Sequence, residues 1–106
     1  MKEDTVFVHA GMYEDKQAQA VTFPVYYTST YYQEEPGKHR GFEYSRTQNP
    51  TRSVLENAIA LIENARYAFT FASGMSAIDA LLHTLQPDAS VIAADDLYGG
   101  TFRIFQ

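Results

Sequence analysis

The chain has 106 residues, with eight lysines and arginines against thirteen acidic residues and a formal net charge of −5. This length allows one modest domain, and no stretch gathers enough basic residues for a surface that would bind nucleic acid. The chain has no cysteine, which excludes disulfides and thiolate metal sites. No apolar run approaches the ~20 residues that cross a bilayer, and the start of the sequence lacks an export-type apolar segment, so we expect a cytoplasmic protein that does not enter membranes.

Residues 1–48 are predicted to form an extended N-terminal arm. They hold six of the eight tyrosines and show no helical periodicity, and the segments TVFVHA and TFPVYYTSTYY look extended. Pro24 cannot donate to a β ladder, which favours an edge or irregular path for the second segment. Such an arm cannot form its own core, so we expect its apolar side chains to pack on a neighbouring subunit. These side chains are Phe23, Val25, Tyr26, Tyr27, Tyr31 and Tyr32.

Residues 49–106 are predicted to be the incomplete beginning of an α/β domain. An apolar stripe with helical spacing consists of Leu55, Ala58, Ile59 and Ile62. Asn49 is the predicted N-cap of this helix, and Pro50 is its first residue. A β-rich run (67–72), a helix (76–86), a second β-rich run (90–94) and the start of a third helix follow, an order that is typical of parallel α/β structure. Two strands are too few for a buried parallel sheet, so we expect further strands from outside these residues.

The segment FASGM, between the first β-rich run and the second helix, is a candidate phosphate site. Amides at a helix start are unpaired and carry partial positive charge, and Gly74 allows close approach of an anion. Turns of this kind are also common as plain connections, so the spacing leaves both interpretations open. The segment lacks the glycine-rich fingerprint and the lysine of a P-loop, which makes nucleotide binding a distant alternative.

The segment YSRTQNPTR, residues 44–52, is a second candidate. Two arginines near a helix N-terminus oppose the helix dipole, which indicates that at least one of them meets an anion. Arg46 is the candidate, because a guanidinium can bind two phosphate oxygens, whereas Arg52 is expected to contact a carboxylate. The alternative is that both arginines are solvated charges and that Tyr44 is an interface aromatic.

The segment DDLYGG places Tyr98 after the second β-rich run, where ligands bind in open α/β sheets. Tyr98 could equally be a turn residue before two glycines. Asp95 and Asp96 without further ligands are more typical of a helix cap and a solvated side chain than of a metal site. None of the three histidines has the spacing of a metal site or a catalytic triad.

Four segments in order, VHAG, YSRTQNPTR, FASGM and DDLYGGT, closely resemble the N-terminal part of the Cys/Met-metabolism family of pyridoxal-phosphate enzymes. This family includes cystathionine γ-synthase, cystathionine γ- and β-lyases and methionine γ-lyase. The resemblance spans residues 5–105 and implies an α/β fold, the N-terminal segment of a fold type I PLP-dependent transferase with aminotransferase-like architecture. Family members are several times longer and are typically homotetramers built from tight dimers.

The resemblance implies pyridoxal 5′-phosphate as cofactor and a role for five residues. The backbone of Gly74 and Met75 would hold the cofactor phosphate. Tyr44 and Arg46 would reach into the adjacent subunit and bind the phosphate there. Tyr98 would stack on the pyridine ring and help to move a proton to or from the substrate amine.

The resemblance also implies a substrate contact and an essential residue that cannot be assigned. Arg103 matches a position that meets a distal carboxylate of the substrate in some synthases. Thr47 stands where certain γ-synthases have a second arginine, which weakens assignment to that subgroup. Family enzymes need a Schiff-base lysine, and Lys2, Lys16 and Lys38 all lie in polar surroundings of the arm that do not match it.

We therefore expect the N-terminal portion of a transsulfuration-type enzyme of cysteine and methionine metabolism. The reaction would be β- or γ-elimination, or γ-replacement, on sulfur amino acids or acylated homoserine. The chain alone would be inactive, and its partners would be the remainder of the enzyme, a neighbouring subunit and an amino-acid substrate. The alternative is a truncated, non-catalytic module that binds a partner subunit or a phosphate. Residues outside this sequence would set the substrate and the balance between lyase and transferase chemistry.

Overall fold

The computed structural model describes residues 3–12 and 17–106. This part of the chain contains α1 Glu3–His9, β1 Gln33–Glu35, β2 Lys38–His39, α2 Pro50–Ile62, α3 Gly74–Leu82 and α4 Gly99–Ile104. None of these helices is long and apolar enough to cross a membrane. The chain forms two compact units, Met1–Phe69 and Thr70–Gln106. Helix α2 lies in the first unit together with the arm. The predicted boundary after residue 48, between the arm and the α/β domain, stays a prediction.

Helix α1 corrects the expectation that the segment TVFVHA is extended. Glu3 and Asp4 lie in its first turn, where the helix dipole favours acidic side chains. Helix α1 packs against α2, and the chain leaves it at Gly11, whose φ is +82°. A Cβ at Gly11 would lie 3.3 Å from the Cβ of Ala58 on α2. A seven-residue helix has little stability of its own, so this packing supports a helix that periodicity did not reveal.

The arm follows an irregular path over residues 21–29, as expected from Pro24. It then pairs with itself, because Thr30 forms an antiparallel bridge with Tyr44 and strand β1 pairs with β2. Arg40 stabilises this hairpin by donating through Nε and Nη2 to Oε1 of Glu34, at 3.0 and 2.8 Å. The bridge brings the start of YSRTQNPTR beside the tyrosine-rich part of the arm.

Helix α2 begins where the sequence predicts. The Oδ1 of Asn49 accepts a hydrogen bond from the amide of Thr51 at 2.8 Å, and Pro50 is the first helical residue. At the other end Asn64 has a left-handed φ of +50°, and the amide of Ala65 donates to the carbonyl of Ala60 at 2.8 Å. This bond pairs a carbonyl that the last helical turn would otherwise leave without a partner.

Asn49 also joins α2 to the arm. Its Nδ2 donates to the carbonyl of Tyr26 at 3.1 Å and to the hydroxyl of Ser45 at 3.2 Å. The amide of Tyr26 in turn donates to Oγ1 of Thr51 at 2.9 Å. One side chain therefore fixes both the helix start and the path of the segment before it.

Large apolar side chains are mostly exposed in the described residues. Of the predicted stripe on α2, Ala58 is buried and Ile62 is half-buried, whereas Leu55 and Ile59 are exposed. In the arm, the side chain of Tyr27 is 94% exposed. The described residues therefore gain little hydrophobic stabilisation from one another.

The second unit contains the two predicted helices but no strand. Helix α3 begins at Gly74, two residues earlier than the apolar spacing indicated, and α4 begins at Gly99. The strands predicted at 67–72 and 90–94 are not formed, and Ile92 is 99% exposed. A strand needs a neighbour to complete its hydrogen-bonded ladder, and the described residues offer neither run such a neighbour.

Replacing Asn49 by alanine is expected to destabilise the start of α2 by about 1 kcal/mol, because the amide of Thr51 loses its capping partner. The variant Asn49→Asp keeps a capping oxygen but removes both amide donors to the arm. Native-state hydrogen exchange separates the loss of the cap from the loss of the contacts with the arm. The Thr51 amide should exchange faster in Asn49→Ala only, whereas the Tyr26 amide should exchange faster in both variants. Unchanged exchange at Thr51 in Asn49→Ala contradicts the capping role.

Candidate functional site

Helix α3 begins with two backbone amides that have no partner in the described part of the chain. The Oγ of Ser73 caps the helix by accepting from the amide of Ser76 at 3.1 Å, and the amide of Ala77 donates to the Ser73 carbonyl at 3.2 Å. The remaining amides of the first turn belong to Gly74 and Met75. A Cβ on Gly74 would meet no atom within 4 Å, so the turn is open to an incoming group.

An open cleft of about 430 Å³ adjoins this turn, and its volume is in the usual range for small-molecule sites. Thr101 on α4 is buried, and its hydroxyl donates to Sδ of Met75 at 3.7 Å. Tyr98, just before α4, is 75% exposed. The packing of α4 on α3 thus places the open amides and an aromatic ring on one cleft. The lining residues are Ser73, Gly74, Met75, Ile78, Tyr98 and Thr101.

Arg103 lies on the same helix but does not line the cleft. Its Nε donates to the carbonyl of Gly99 at 3.2 Å, within α4. This bond uses one of the five guanidinium donors. The side chain is exposed, so the charge is accessible to a carboxylate.

Tyr44 and Arg46 form a pair in the first unit. The Nη2 of Arg46 donates to Oη of Tyr44 at 2.9 Å, and the guanidinium carbon lies 5.1 Å from the centre of the tyrosine ring. Because the tyrosine oxygen accepts this bond, its own hydrogen remains able to donate elsewhere. Arg46 is exposed, so the pair offers several donors to an anion.

Arg52 contacts a carboxylate, as predicted, with Nε 3.7 Å from Oε1 of Glu56. It also has a second set of contacts that the sequence did not reveal. Its Nη1 donates to the carbonyl of Arg46 at 3.4 Å, and its Nη2 donates to the carbonyl of Thr47. Thr47 is further held by its own amide, which donates to the carbonyl of Tyr44 at 3.1 Å. Arg52 thus stabilises the turn that carries Arg46.

A second cleft, of about 220 Å³, lies in the first unit. Its lining is mostly apolar and carries no charged side chain. It is formed by Phe23, Phe42, Pro50, Ser53, Val54 and Asn57. It therefore lacks a cationic side chain to offset the charge of a phosphorylated ligand.

Among the described residues the chain has one lysine, Lys38. The Nζ of Lys38 lies 3.9 Å from a carboxylate oxygen of Glu34 and 3.7 Å from one of Glu35, in an exposed hairpin. Lys2 and Lys16 lie outside the described residues. No group of three possible metal ligands occurs in residues 3–12 and 17–106.

The model of the family described as "Cys/Met metabolism PLP-dependent enzyme" matches residues 4–106. The chain belongs to this family. Pyridoxal phosphate is the cofactor of the family, and the cleft fits it, because open amides suit a phosphate and an exposed aromatic ring suits a pyridine. The family resemblance of the four sequence segments is confirmed.

Relatives in this family cover nearly the whole chain. A cystathionine β-lyase from Coxiella burnetii is 48% identical over 97% of the chain, and a probable cystathionine γ-synthase from Herpetosiphon aurantiacus is 48% identical over 93%. The crystal structure of metB from Corynebacterium glutamicum superposes on 99% of the chain with a TM-score of 0.87 and 36% identity. The predicted fold class, the N-terminal segment of a fold type I enzyme, is confirmed. The chain spans 27%, 31% and 28% of the lengths of these three proteins.

The structure brings together all the predicted site residues of each unit except Arg103, which lies outside the cleft, and it adds others that the sequence analysis missed. Gly74, Met75 and Tyr98 meet at one cleft. Ser76 was missed, although its i, i+3 spacing from the capping Ser73 is a readable capping signal. No local signal identifies the contact of Thr101 with Met75, because it depends on how α4 packs on α3.

Replacing Arg52 by alanine is expected to loosen the turn that carries Arg46. Loss of the two carbonyl contacts should destabilise the turn by about 1 kcal/mol, which corresponds to roughly fivefold faster hydrogen exchange at the Thr47 amide. The matched control is Arg66→Ala, since Arg66 contacts the neighbouring Tyr67 ring at 5.2 Å and has no role in the turn. Equal exchange at Thr47 in both variants contradicts the role of Arg52.

Proposed function

We propose that this chain is the N-terminal portion of a PLP-dependent enzyme of the transsulfuration type. The reaction is β- or γ-elimination, or γ-replacement, on a sulfur amino acid or an acylated homoserine. Family membership supports the reaction class, and a β-lyase and a probable γ-synthase share the same identity to the chain, 48%. The observation that carries the proposal is the pair of open amides beside an exposed tyrosine on one cleft. When bound, pyridoxal phosphate withdraws electrons from the α-carbon of an amino acid and makes its proton labile.

The amides of Gly74 and Met75 hold the cofactor phosphate in this proposal. Both lie in the first turn of α3, where the helix dipole favours an anion. Ser73 already satisfies the amide of Ser76, so a phosphate at this turn displaces no existing hydrogen bond. The absence of a side chain at Gly74 leaves room for the phosphate oxygens.

Tyr44 and Arg46 supply further phosphate contacts to the site of a neighbouring subunit. Their mutual hydrogen bond pre-orients both groups, which lowers the entropy lost on binding. Exposed arm residues such as Tyr27 and Tyr32 support a subunit contact, because side chains of this size are costly to leave in water. A homotetramer built from tight dimers is the proposed assembly.

Tyr98 and Arg103 act on the cofactor ring and the substrate. The exposed ring of Tyr98 borders the cleft, so it stacks on the pyridine, and its hydroxyl takes or gives a proton of the substrate amine. Arg103 keeps four guanidinium donors after its bond to Gly99, and a distal carboxylate of the substrate is their proposed partner.

In our proposal, none of the lysines of this chain is the Schiff-base lysine, and the remainder of the enzyme supplies it. Lys38 is exposed, its Nζ lies near carboxylate oxygens of Glu34 and Glu35, and it lines neither cleft. The chain by itself is therefore expected to be inactive, and the remainder of the enzyme is its first partner.

Reconstitution tests the enzyme proposal. The chain is mixed with a second chain that supplies the part of the relatives' length not covered here, and α-keto acid release is assayed with and without added pyridoxal phosphate. We expect activity only when both chains and the cofactor are present. Borohydride should then fix the cofactor to a lysine of the second chain, as mass spectrometry would show. A colourless, inactive complex supports the non-catalytic module instead.

Mixing variant subunits tests whether Arg46 acts across the subunit interface. Complete enzymes carrying Arg46→Ala or Tyr98→Ala should each lose most activity. In a two-fold dimer of one subunit of each kind, one site combines both intact residues, so random mixing should restore about one quarter of wild-type activity. No recovery on mixing means that both residues act within one subunit. Arg40→Ala is the control, because this arginine is paired with Glu34 and should leave activity unchanged.

A further inference from the structure

Gly100 lies in the first turn of α4, directly against the ring of Tyr98. A Cβ at this position would lie 2.7 Å from Cε1 and 3.1 Å from Cδ1 of Tyr98, and 3.0 Å from Sδ of Met75. Gly100 does not have a positive φ, so its backbone conformation does not require glycine. Its requirement for glycine comes from the space that the tyrosine ring occupies.

A side chain at Gly100 would displace the ring of Tyr98 rather than disrupt the helix. The ring is 75% exposed and makes no capping hydrogen bond, so it can move into solvent at little cost. The Sδ of Met75 accepts a hydrogen bond from the hydroxyl of the buried Thr101, which helps to hold it in place. Because Gly100 has no side chain, the ring of Tyr98 can lie close to α4 and to the cleft.

We propose that Gly100 is a positioning residue that sets the orientation of Tyr98 for contact with the ring of the bound cofactor. This inference rests on the proposed function of the cleft. It concerns the aromatic part of the cofactor alone, because the phosphate donors are the amides of Gly74 and Met75 on α3. Gly100 itself does not line the cleft.

Gly99 provides a matched control one residue earlier. A Cβ at Gly99 would meet only Nη2 of Arg103, at 4.0 Å, which is an ordinary contact. Gly99 and Gly100 are the first two residues of the same helix, and alanine is a better helix former than glycine at either position. A difference between the two variants therefore reports the contacts of a Cβ at Gly100 with Tyr98 and Met75.

The test uses the complete enzyme stripped of cofactor and two probes. Pyridoxine 5′-phosphate has the ring and the phosphate but no aldehyde, so it cannot bond covalently to a lysine, and inorganic phosphate has no ring. Calorimetric titration of Gly100→Ala should show pyridoxine 5′-phosphate binding about two- to tenfold more weakly, the range of one aromatic contact. Its affinity for inorganic phosphate should be unchanged. Gly99→Ala should bind both probes as the wild type does.

The same substitution in a Tyr98→Ala enzyme separates the contact with the tyrosine ring from the contact with Met75. Tyr98→Ala removes the ring but leaves Sδ of Met75, 3.0 Å from the position of a Cβ at Gly100. If the ring alone carries the effect, adding Gly100→Ala to Tyr98→Ala should cause no further loss of affinity and should leave the enzyme folded. Wild-type affinity of Gly100→Ala for pyridoxine 5′-phosphate overturns the inference, as does an equal loss for both probes or a further loss in the Tyr98→Ala background. Failure of the wild type to bind either probe overturns the proposed function itself, and the inference with it.

Discussion

Two unpaired backbone amides at the start of α3 are the constraint on which the proposed chemistry depends. The first turn of any helix leaves donors that the helix itself cannot satisfy. Here Ser73 serves two of the first-turn residues, through its hydroxyl and its carbonyl, and the amides of Gly74 and Met75 remain. Because Gly74 presents no side chain, an anion can reach both amides without rearrangement of the protein. The same geometry that leaves the helix start without partners therefore makes it the proposed binding site.

The packing of α4 on α3 places an aromatic ring beside this proposed anion site, as our proposal for a phosphorylated aromatic ligand requires. Met75 contributes to this arrangement in two ways. Its amide belongs to the open turn, and its Sδ contacts Thr101 and lies beside Gly100. Tyr98 then lies at the cleft edge, with its carbonyl accepting from the amide of Thr101 at 2.8 Å. Helix α4, only six residues long, thus sets the distance between the open amides of α3 and the ring of Tyr98.

The first unit carries the complementary half of the proposed site on a scaffold of hydrogen bonds rather than on a hydrophobic core. Asn49 joins the helix start to the arm, and Arg52 joins the helix to the turn of Arg46. Polar contacts of this kind fix geometry but contribute modest net stability each. Combined with exposed aromatic side chains such as Tyr27, this favours an arm whose packing is completed by other protein surfaces.

The sequence by itself determined the features that depend on neighbouring residues, and it determined the family. Caps such as Asn49 and the Ser-Gly turn before α3 are local, so their residue types predict them. The tertiary structure alone decided that residues 3–9 form a helix and that the two β-rich runs stay unpaired, because both outcomes depend on which distant surface is present. It also decided the meeting of Thr101 with Met75 and of Gly100 with Tyr98. These contacts arise from helix packing, which no spacing along the chain encodes.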